Sequence, residues 1–469
     1  MTRARDRDGG CREFCEWSRA TRRQVLSIGT LAGLGLALPD FFRLRSVAGA
    51  AEGAGTFGRA KSVIMMFLHG GHPQHETWDP KPDAPAEVRG EFGDIPTNVP
   101  GTRISELLPL SAGIVDRLAI IRSLSHTNAN HVQACLPAMT GHAHPPEFEG
   151  RGDFPPSATD FPPFGAVLDH VRPYQGNLPT WVQLGPLMTR NNLTVLHGQL
   201  PGFLGARHSP FVVDQDFVPD DVRIEALSTS GDVPTLRLSG RRDLLAEVDA
   251  QRRLLDQSAT ARSLDQFYGR AFTLLSSQET RRAFDLAAEP SALRDRYGRT
   301  HFGQACLLAR RLAEAGVPMI NVHYCKTPKG SWDTHSKNSQ QMKESLGPTF
   351  DRAFSTLVAD MDERGLLDET LVIATAEFGR TPQINKNAGR DHWPWVYSIA
   401  LTGAGIQRGM VYGSSDRLAA YPQSKPHDPR DFAATVYHLL GIPAETVIYD
   451  SLHRPHQLII GRPISGILA

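Results

Sequence analysis

Apolar and polar positions along this chain predict strands and helices in alternation. Two continuous apolar runs, Lys61–Leu68 (KSVIMMFL) and Leu371–Ala376 (LVIATA), have the length and composition of strands that are buried on both faces. Leu118–Arg122, Val317–Tyr324 and Val396–Thr402 predict three more strands. Strands that are apolar on both sides need a cover on each face of their sheet, and helices usually provide it.

Apolar residues at helical spacing predict the helices, and a glycine follows each of them as a stop signal. These segments are His301–Ala315, Phe350–Arg364 and Phe432–Leu440. Helices that alternate with strands in this way predict an α/β fold, in which a doubly wound and mostly parallel sheet carries helices on both faces.

We expect a single domain over residues 61–469. Between Arg241 and Gly298 the composition changes to polar helical sequence rich in Arg, Asp and Leu, which predicts a helical insertion around 241–298. The proline-rich stretches Asp79–Pro100 and Gly141–Pro163 predict long ordered loops near the mouth of the sheet.

Residues 1–50 predict an export signal. Arg22 and Arg23 precede a short apolar run that ends at Leu38, and Ala48–Ala50 has the small residues of a cleavage site. We interpret this as a twin-arginine signal, which exports folded proteins, and expect a periplasmic or extracellular location. An uncleaved N-terminal anchor is the alternative. No later apolar stretch is long enough for a bilayer, so we expect no stable membrane span after signal removal.

Charge and cysteine content exclude several classes of function. The chain has 50 basic and 50 acidic residues, and no block of basic residues, so we expect no nucleic acid as a partner. The five cysteines form no Cys-X-X-Cys pair, which argues against a thiolate zinc site and against a disulfide framework. The 18 histidines are the unusual feature, and they indicate metal or proton chemistry.

Histidines and carboxylates follow the predicted strands at the points where the strands end. In open parallel sheets, ligands bind beyond the carboxyl ends of the strands. We therefore expect these groups to converge and to bind a divalent metal, zinc or calcium. The polar segments are His69–Asp79, Ser125–His131, Gly330–His335, Glu377–Pro382 and Gly389–Pro394.

Several strings in these segments resemble one bacterial family, the one catalogued as domain of unknown function 1501. In chain order they are KSVIMMFLHGG, RSLSHTNANH, SWDTHSKN, ATAEFGRTP and GRDHWPW, and the resemblance extends from Lys61 to Ala469. That family is similar to the alkaline phosphatase and sulfatase superfamily. The resemblance implies an alkaline-phosphatase-like fold and a metal site.

The resemblance also implies roles for individual residues. Asp333, His335 and His392 match superfamily ligands that bind one metal ion; the alternative is that Asp333 caps a loop and His335 is merely solvated. Superfamily members carry an Asp–His pair after the strand equivalent to LVIATA, where this chain has Glu377 and Phe378. Glu377 remains a candidate ligand, but Phe378 does not.

Other groups would have to compensate for the missing second ligand. The candidates are His72, His75, Glu76 and His131. Arg380 is predicted to bind an anionic oxygen or to pair with Glu377.

The nucleophile departs from the sulfatase pattern, in which the cysteine of a Cys-X-Pro-X-Arg string becomes formylglycine. Here Cys135–Met139 keeps the cysteine and the proline but has Met139 in place of arginine. The sulfatase spacing instead places His131 at the nucleophile position, and we assign His131 and Arg380 to the catalytic group. Cys135 is better explained as a buried apolar residue, which leaves a metal-activated water as the nucleophile. Ser125 and Thr127 are alternative nucleophiles.

Two functions remain open on the sequence. The first is an exported metal-dependent hydrolase of sulfate or phosphate esters, with a small-molecule or polysaccharide ester as its substrate. The second is a non-catalytic periplasmic or surface binding protein on a degenerate phosphatase-like scaffold. We favour the hydrolase, because carboxylates and imidazoles are expensive to bury without a metal. The sequence does not determine the oligomeric state.

The export signal can be tested in cells. Replacing both Arg22 and Arg23 with Lys should leave the precursor in the cytoplasm, because twin-arginine recognition tolerates this exchange poorly. Immunoblots of cell fractions measure the outcome, with the Arg43→Lys, Arg45→Lys double variant as the control. Unchanged export of the first variant would show that the signal is of another type.

Overall fold

A computed structural model describes residues 55–148, 151–174, 176–190, 192–222, 224, 277–324 and 331–469. Residues 1–50, which carry the predicted export signal, lie outside the described residues, and so does most of the predicted insertion at 241–298. The described end of that insertion forms two short helices, α5 and α6 below. Within the described residues, no helix has both the length and the apolar character that crossing a membrane requires.

The strands alternate with helices, as the sequence predicts. In chain order they are β1 (Ser62–Phe67), β2 (Asp94–Pro96), β3 (Arg103–Ser105), β4 (Ala119–Leu124), β5 (Trp181–Leu184), β6 (Phe211–Val213), β7 (Met319–His323), β8 (Thr370–Thr375), β9 (Gly379–Arg380), β10 (His392–Trp393), β11 (Tyr397–Thr402), β12 (Met410–Tyr412), β13 (Ser414–Ser415), β14 (Pro422–Ser424), β15 (Val447–Tyr449) and β16 (Pro455–Gln457). All five predicted strands are present.

The helices are α1 (Ala86–Arg89), α2 (Pro109–Ala112), α3 (His131–Thr140), α4 (Phe164–Val171), α5 (Gln278–Ala283), α6 (Ser291–Tyr297), α7 (His301–Glu314), α8 (Asn338–Gln341), α9 (Gly347–Glu363) and α10 (Pro429–Leu439). The three predicted helices correspond to α7, α9 and α10. A π-helical turn, Met342–Leu346, connects α8 to α9.

Eight strands form the central sheet in the order β12-β4-β11-β8-β1-β7-β5-β6. The strand β1 lies near the middle and pairs in parallel with β7 and β8. Of these eight strands, β11 alone runs against its neighbours, β4 and β8. The predicted α/β fold with a mostly parallel sheet is confirmed.

The two faces of β1 contribute to separate hydrophobic cores. Ile64 and Met66 face a core that includes Phe302 of α7 and Phe350 of α9. Alternate residues of the same strand, such as Met65, face a second core formed with α3, α4 and α10. Because each face of the sheet is covered by helices, the strands are apolar throughout, which explains their continuous hydrophobic sequence.

The loop after β1 turns inward and is buried, and its polar groups bond to distant backbone atoms. His72 Nε2 donates to the Ser398 carbonyl oxygen at 2.8 Å, and His75 Nε2 donates to that of Leu418 at 2.8 Å. Burial lowers the pKa of His72 to about 4 and that of His75 to about 3, so both rings are neutral. Within the described residues neither ring belongs to a group of three or more potential metal ligands, and their Nε2 atoms hold other loops in place.

Glu76, the third predicted ligand in this loop, forms a buried ion pair instead. Its Oε1 accepts from Arg390 Nε at 2.9 Å, and neither side chain is exposed. Its Oε2 accepts from the Asn338 side chain at 2.5 Å. Arg390 also donates to the backbone carbonyls of Thr381 and Val88. Glu76 therefore anchors the segment that continues into Asp391 and His392.

This pair should be important for stability. The Arg390→Met variant leaves the Glu76 carboxylate buried and unpaired, so we expect the free energy of unfolding to fall by about 3–5 kcal/mol. Urea denaturation followed by circular dichroism measures the change. The control is Lys61→Met, which removes a pair with Glu369 whose side chains are 71% and 57% exposed. That control should lose less than about 1 kcal/mol, and equal small losses in both variants would contradict the structural role.

Candidate metal centre

The candidate centre lies at the edge of the sheet where the parallel strands end. His69 follows β1, Glu377 follows β8, and His131 begins α3 after β4. Asp333 follows β7, while His392 precedes β11, whose opposite direction starts it at this same edge. The topology thus brings together groups from five separate segments, as ligand sites in open α/β sheets require.

Three histidine side chains surround the Asp333 carboxylate. Its Oδ1 lies 3.2 Å from His131 Nε2, 3.0 Å from His335 Nε2 and 3.1 Å from His392 Nε2. The Nε2 atoms of His335 and His392 are themselves 2.9 Å apart. The structure therefore brings the predicted set of Asp333, His335 and His392 together and adds His131 to it.

The other ring nitrogen of each histidine is fixed by an acceptor. His131 Nδ1 donates to Glu377 Oε1 at 2.5 Å, and His335 Nδ1 donates to Asp391 Oδ1 at 2.7 Å. His392 Nδ1 donates to the Ala129 carbonyl oxygen at 2.6 Å. In a neutral imidazole the second nitrogen then carries a lone pair. These lone pairs and a carboxylate oxygen face one another, which is the arrangement that metal ligands adopt, with carboxylates and carbonyls orienting the rings.

A second triad overlaps the first. His69, His131 and Glu377 have potential ligand atoms within 4.8 Å of one another, and all three residues are buried. His69 Nδ1 and Glu377 Oε2 have no hydrogen-bond partner in the part of the chain that the structure describes. Buried polar atoms normally find partners, so these two atoms mark a place for a further ligand or water.

Charge and burial set the protonation of the centre. Burial lowers the pKa of His69 and of His392 to about 4, which leaves both rings neutral. Burial also lowers the pKa of His131, but hydrogen bonds with Asp333 and Glu377 outweigh it and raise the net value. Burial disfavours the Asp333 carboxylate, yet its histidine partners hold its pKa well below the usual range. The carboxylate is therefore charged.

Arg380 has a different role from the predicted one. It is fully buried, and its NH1 group donates to Asp333 Oδ1 and to the Gly70 carbonyl oxygen, both at 2.9 Å. Its NH2 group donates to the Arg390 carbonyl oxygen. With both terminal nitrogens engaged, Arg380 holds Asp333 in position and does not pair with Glu377, whose Oε1 contacts His131 and the Gly70 amide.

Two glycines permit the close approach of the loops. A Cβ atom on Gly70, whose φ is +112°, would lie 2.2 Å from the Asp333 amide nitrogen. A Cβ on Gly389 would lie 2.1 Å from the His335 carbonyl group. Side chains at these positions would push Asp333 and His335 away from the other ligands.

An open cleft of about 610 Å³ leads to the centre. His131 and His392 form part of its wall, and Arg151 and Arg190 line it as well. Arg190 Nε donates to Asp153 Oδ2 at 3.3 Å, while its NH1 group is 3.7 Å from Asp333 Oδ2, too far for a strong hydrogen bond. Arg190 is therefore available to a bound anion.

Three residues of the centre were not among the predicted site residues. His69 lies in a predicted polar segment, but the pattern of apolar and polar positions does not distinguish it from His72 as a candidate ligand. Asp391 precedes His392 in the chain, so the sequence places it near the centre. The sequence does not predict its hydrogen bond with His335. Arg190 follows the four-residue strand β5, which gave no hydrophobic signal strong enough to be predicted. Cys135 is buried in α3, in agreement with the apolar interpretation.

Similar solved structures include a protein of the alkaline phosphatase superfamily from Vibrio parahaemolyticus, at 12% identity over 88% of this chain and 71% of that chain, with a TM-score of 0.42. The sulfatase PsFucS1 from Pseudoalteromonas sp. matches at 12% identity over 92% and 77%, with a TM-score of 0.39. The lipoteichoic acid synthase LtaP from Listeria monocytogenes matches at 10% identity over 88% and 78%, with a TM-score of 0.38. Matches at this level carry no argument about the reaction.

Sequence comparison gives the family. No curated protein matches the chain significantly. The model of the family described as "Protein of unknown function (DUF1501)" matches residues 60–468. This match covers most of the chain and confirms the predicted resemblance. The chain therefore belongs to the DUF1501 family.

Proposed function

We propose that this protein is a metal-dependent hydrolase of sulfate or phosphate esters. The observation that carries the proposal is the convergence of three histidine Nε2 atoms on Asp333 Oδ1, within 3.0–3.2 Å, at the wall of an open cleft. His131, His335, His392 and Asp333 would hold the ion. Nitrogen-rich ligands of this kind suit zinc better than calcium, which prefers oxygen.

The donor set fits a cation on electrostatic grounds. Without an ion, the Nε2 lone pair of neutral His392 faces Asp333 Oδ1 at 3.1 Å and His335 Nε2 at 2.9 Å. Hydrogen bonds with Asp333 and Asp391 raise the pKa of His335, so a proton on that ring relieves part of the repulsion, but burial disfavours a second proton on His392. A bound dication would supply positive charge for the ester oxygens and acidify a water molecule.

The chain's own residues would position the substrate. Arg190 and Arg151 line the cleft, so they can bind the sulfate or phosphate group and whatever is attached to it. His69 and Glu377 lie behind His131 with unpartnered buried atoms, and Glu377 is a carboxylate that can accept a proton. A cleft of about 610 Å³ has room for a small-molecule ester or for one end of a polysaccharide ester.

One observation favours a second function, that of a binding protein on the same scaffold. His131 occupies the first position of α3, where the sulfatase spacing places the nucleophile, and Cys135 is buried one turn further along the helix. A protein without a covalent nucleophile can still use its cleft and its metal to bind an anionic ligand. We favour the hydrolase because a metal-activated water needs no side-chain nucleophile.

The place of action is also part of the proposal. We propose that the protein acts in the periplasm or outside the cell after export by the twin-arginine pathway. Arg22, Arg23 and the apolar run that follows them support this, together with the small residues before Ala50. A pathway that carries folded cargo suits a protein whose ligands come from five separate segments and assemble only on folding.

Metal binding at the centre can be measured directly. Asp333→Asn removes the carboxylate on which the three imidazoles converge, so we expect a loss of zinc affinity of about 10- to 100-fold or more. Titration calorimetry with zinc on full-length protein freed of metal gives the affinity. The control is Asp431→Asn, which alters another His–Asp pair, with His427, and should bind zinc like the wild type. Equal zinc binding by Asp333→Asn would contradict the proposed site.

Hydrolysis provides the second test. With zinc-loaded protein and aryl sulfate and aryl phosphate esters, we expect turnover that the Arg190→Gln variant lowers by about 10- to 100-fold in kcat/KM, because a charge-assisted hydrogen bond to the anion is lost. Arg408→Gln is the control, since Arg408 lies on the surface and pairs with Asp362. Binding of a sulfated oligosaccharide without turnover of any ester would instead support the binding protein.

A further inference from the structure

A second cluster of potential ligands lies apart from Asp333 and shares no residue with its site. His144 is in the loop after α3, Asp160 is in the loop before α4, and His197 follows β5. Their potential ligand atoms all lie within 4.8 Å of one another. The His197 side chain is fully buried, and that of Asp160 is 9% exposed. Three chain segments thus bring two imidazoles and one carboxylate to a single point.

The orientation of His197 is informative. Its Nε2 lies 3.0 Å from the Phe154 carbonyl oxygen, which can only accept, so Nε2 carries the hydrogen. Its Nδ1 lies 2.6 Å from Asp160 Oδ2 but has no hydrogen-bond partner of acceptable geometry among the described residues. In neutral His197, the lone pair of Nδ1 therefore faces a carboxylate oxygen. Such a contact needs a positive charge between the two atoms.

The position of His144 indicates whether that positive charge is a proton or a metal cation. A proton on His197 Nδ1 could be shared with the Asp160 carboxylate, but His144 would still have no binding partner for its buried ring nitrogen. His144 Nε2 is buried and has no hydrogen-bond partner among the described residues, and its ring stands edge-on to that of His197 at 4.5 Å between centroids. A cation shared by all three side chains satisfies every one of these atoms.

The surroundings of the cluster favour a bound cation. The rings of Phe148 and Phe154 pack around His144, at 5.7 and 5.3 Å between centroids. A hydrophobic shell of this kind excludes competing water from a metal site.

We propose that His144, Asp160 and His197 form a second metal site, which binds one divalent transition-metal cation of the zinc type. Two imidazoles and one carboxylate are ligands that zinc prefers, whereas calcium and magnesium prefer oxygen. Three protein ligands leave a fourth position for water in tetrahedral zinc. This site does not depend on the proposed function, because among the described residues its members form no hydrogen bond, ion pair or ring contact with Asp333 or its histidine partners.

The site would hold one wall of the cleft in place. His144 and Asp160 flank the segment that carries Arg151 and Gly152 to the cleft. His197 is tied to the same segment through the Phe154 carbonyl group, next to Asp153, which accepts a hydrogen bond from Arg190. A metal ion here would act as a structural clamp on residues that line the cleft.

Zinc content tests the proposal. Full-length protein, incubated with zinc chloride and then freed of unbound ion, is analysed by inductively coupled plasma mass spectrometry. We expect His144→Ala to contain one zinc equivalent per chain less than the wild type, and Asp333→Asn to retain the equivalent that His144→Ala loses. The control is His142→Gln in the same loop, which can still donate to the Leu458 carbonyl group and should keep the full zinc content. Unchanged zinc content in His144→Ala would overturn the proposal.

A crystal of the wild type provides a measurement that no folding defect can obscure. Anomalous diffraction at the zinc edge should show a peak among the His144 ring, Asp160 Oδ2 and His197 Nδ1, at about 2.0–2.2 Å from one ligand atom of each residue. No peak there in a zinc-soaked crystal would overturn the second site even if the Asp333 centre is occupied. A peak there with no peak at Asp333 would support this site and count against the proposed function.

Discussion

The charge on Asp333 and Glu377 constrains the architecture around both carboxylates. Glu377 is buried, and Asp333 is largely surrounded by protein, so water compensates neither charge in full. The compensation comes from Arg380 at one carboxylate and from His131 between the two. Burying a carboxylate among positive groups and lone-pair donors costs free energy. Such an arrangement also requires that loops from several strand ends be fixed at the same time.

Many polar residues are buried behind the centre because they hold these loops in position. Glu76 and Arg390 form a pair with no exposed surface that anchors the segment before His392. Gly70 lets the loop after β1 contact the backbone of Asp333. These interactions are remote from any substrate, yet they determine whether the histidine Nε2 atoms point at one place. Preorganisation of this kind is what a metal site needs from its supporting residues.

The sequence predicted the fold and the neighbourhood of the centre because both follow from periodicity. Apolar runs define the strands, and the residues after parallel strands must share one edge of the sheet, whereas the family resemblance is what selects Asp333, His335 and His392 as one ligand set. Periodicity cannot say which way each side chain of a loop points. His72 and His75 were therefore predicted as ligands, although their rings turn to the carbonyls of Ser398 and Leu418.

Phe378 shows how one substitution is accommodated by its neighbours. The family that the sequence resembles implies a ligand pair after β8, and in this chain Phe378 stands in place of one member of that pair. The Phe378 ring is fully buried and lies 4.8 Å from the ring of His131 and 4.8 Å from that of His392. It packs against both imidazoles, so it excludes water and restricts their rotation. His131, at the start of α3, brings its Nε2 to 3.2 Å from Asp333 Oδ1. The nitrogen beside the Asp333 carboxylate thus comes from a different segment of the chain than the one that follows β8.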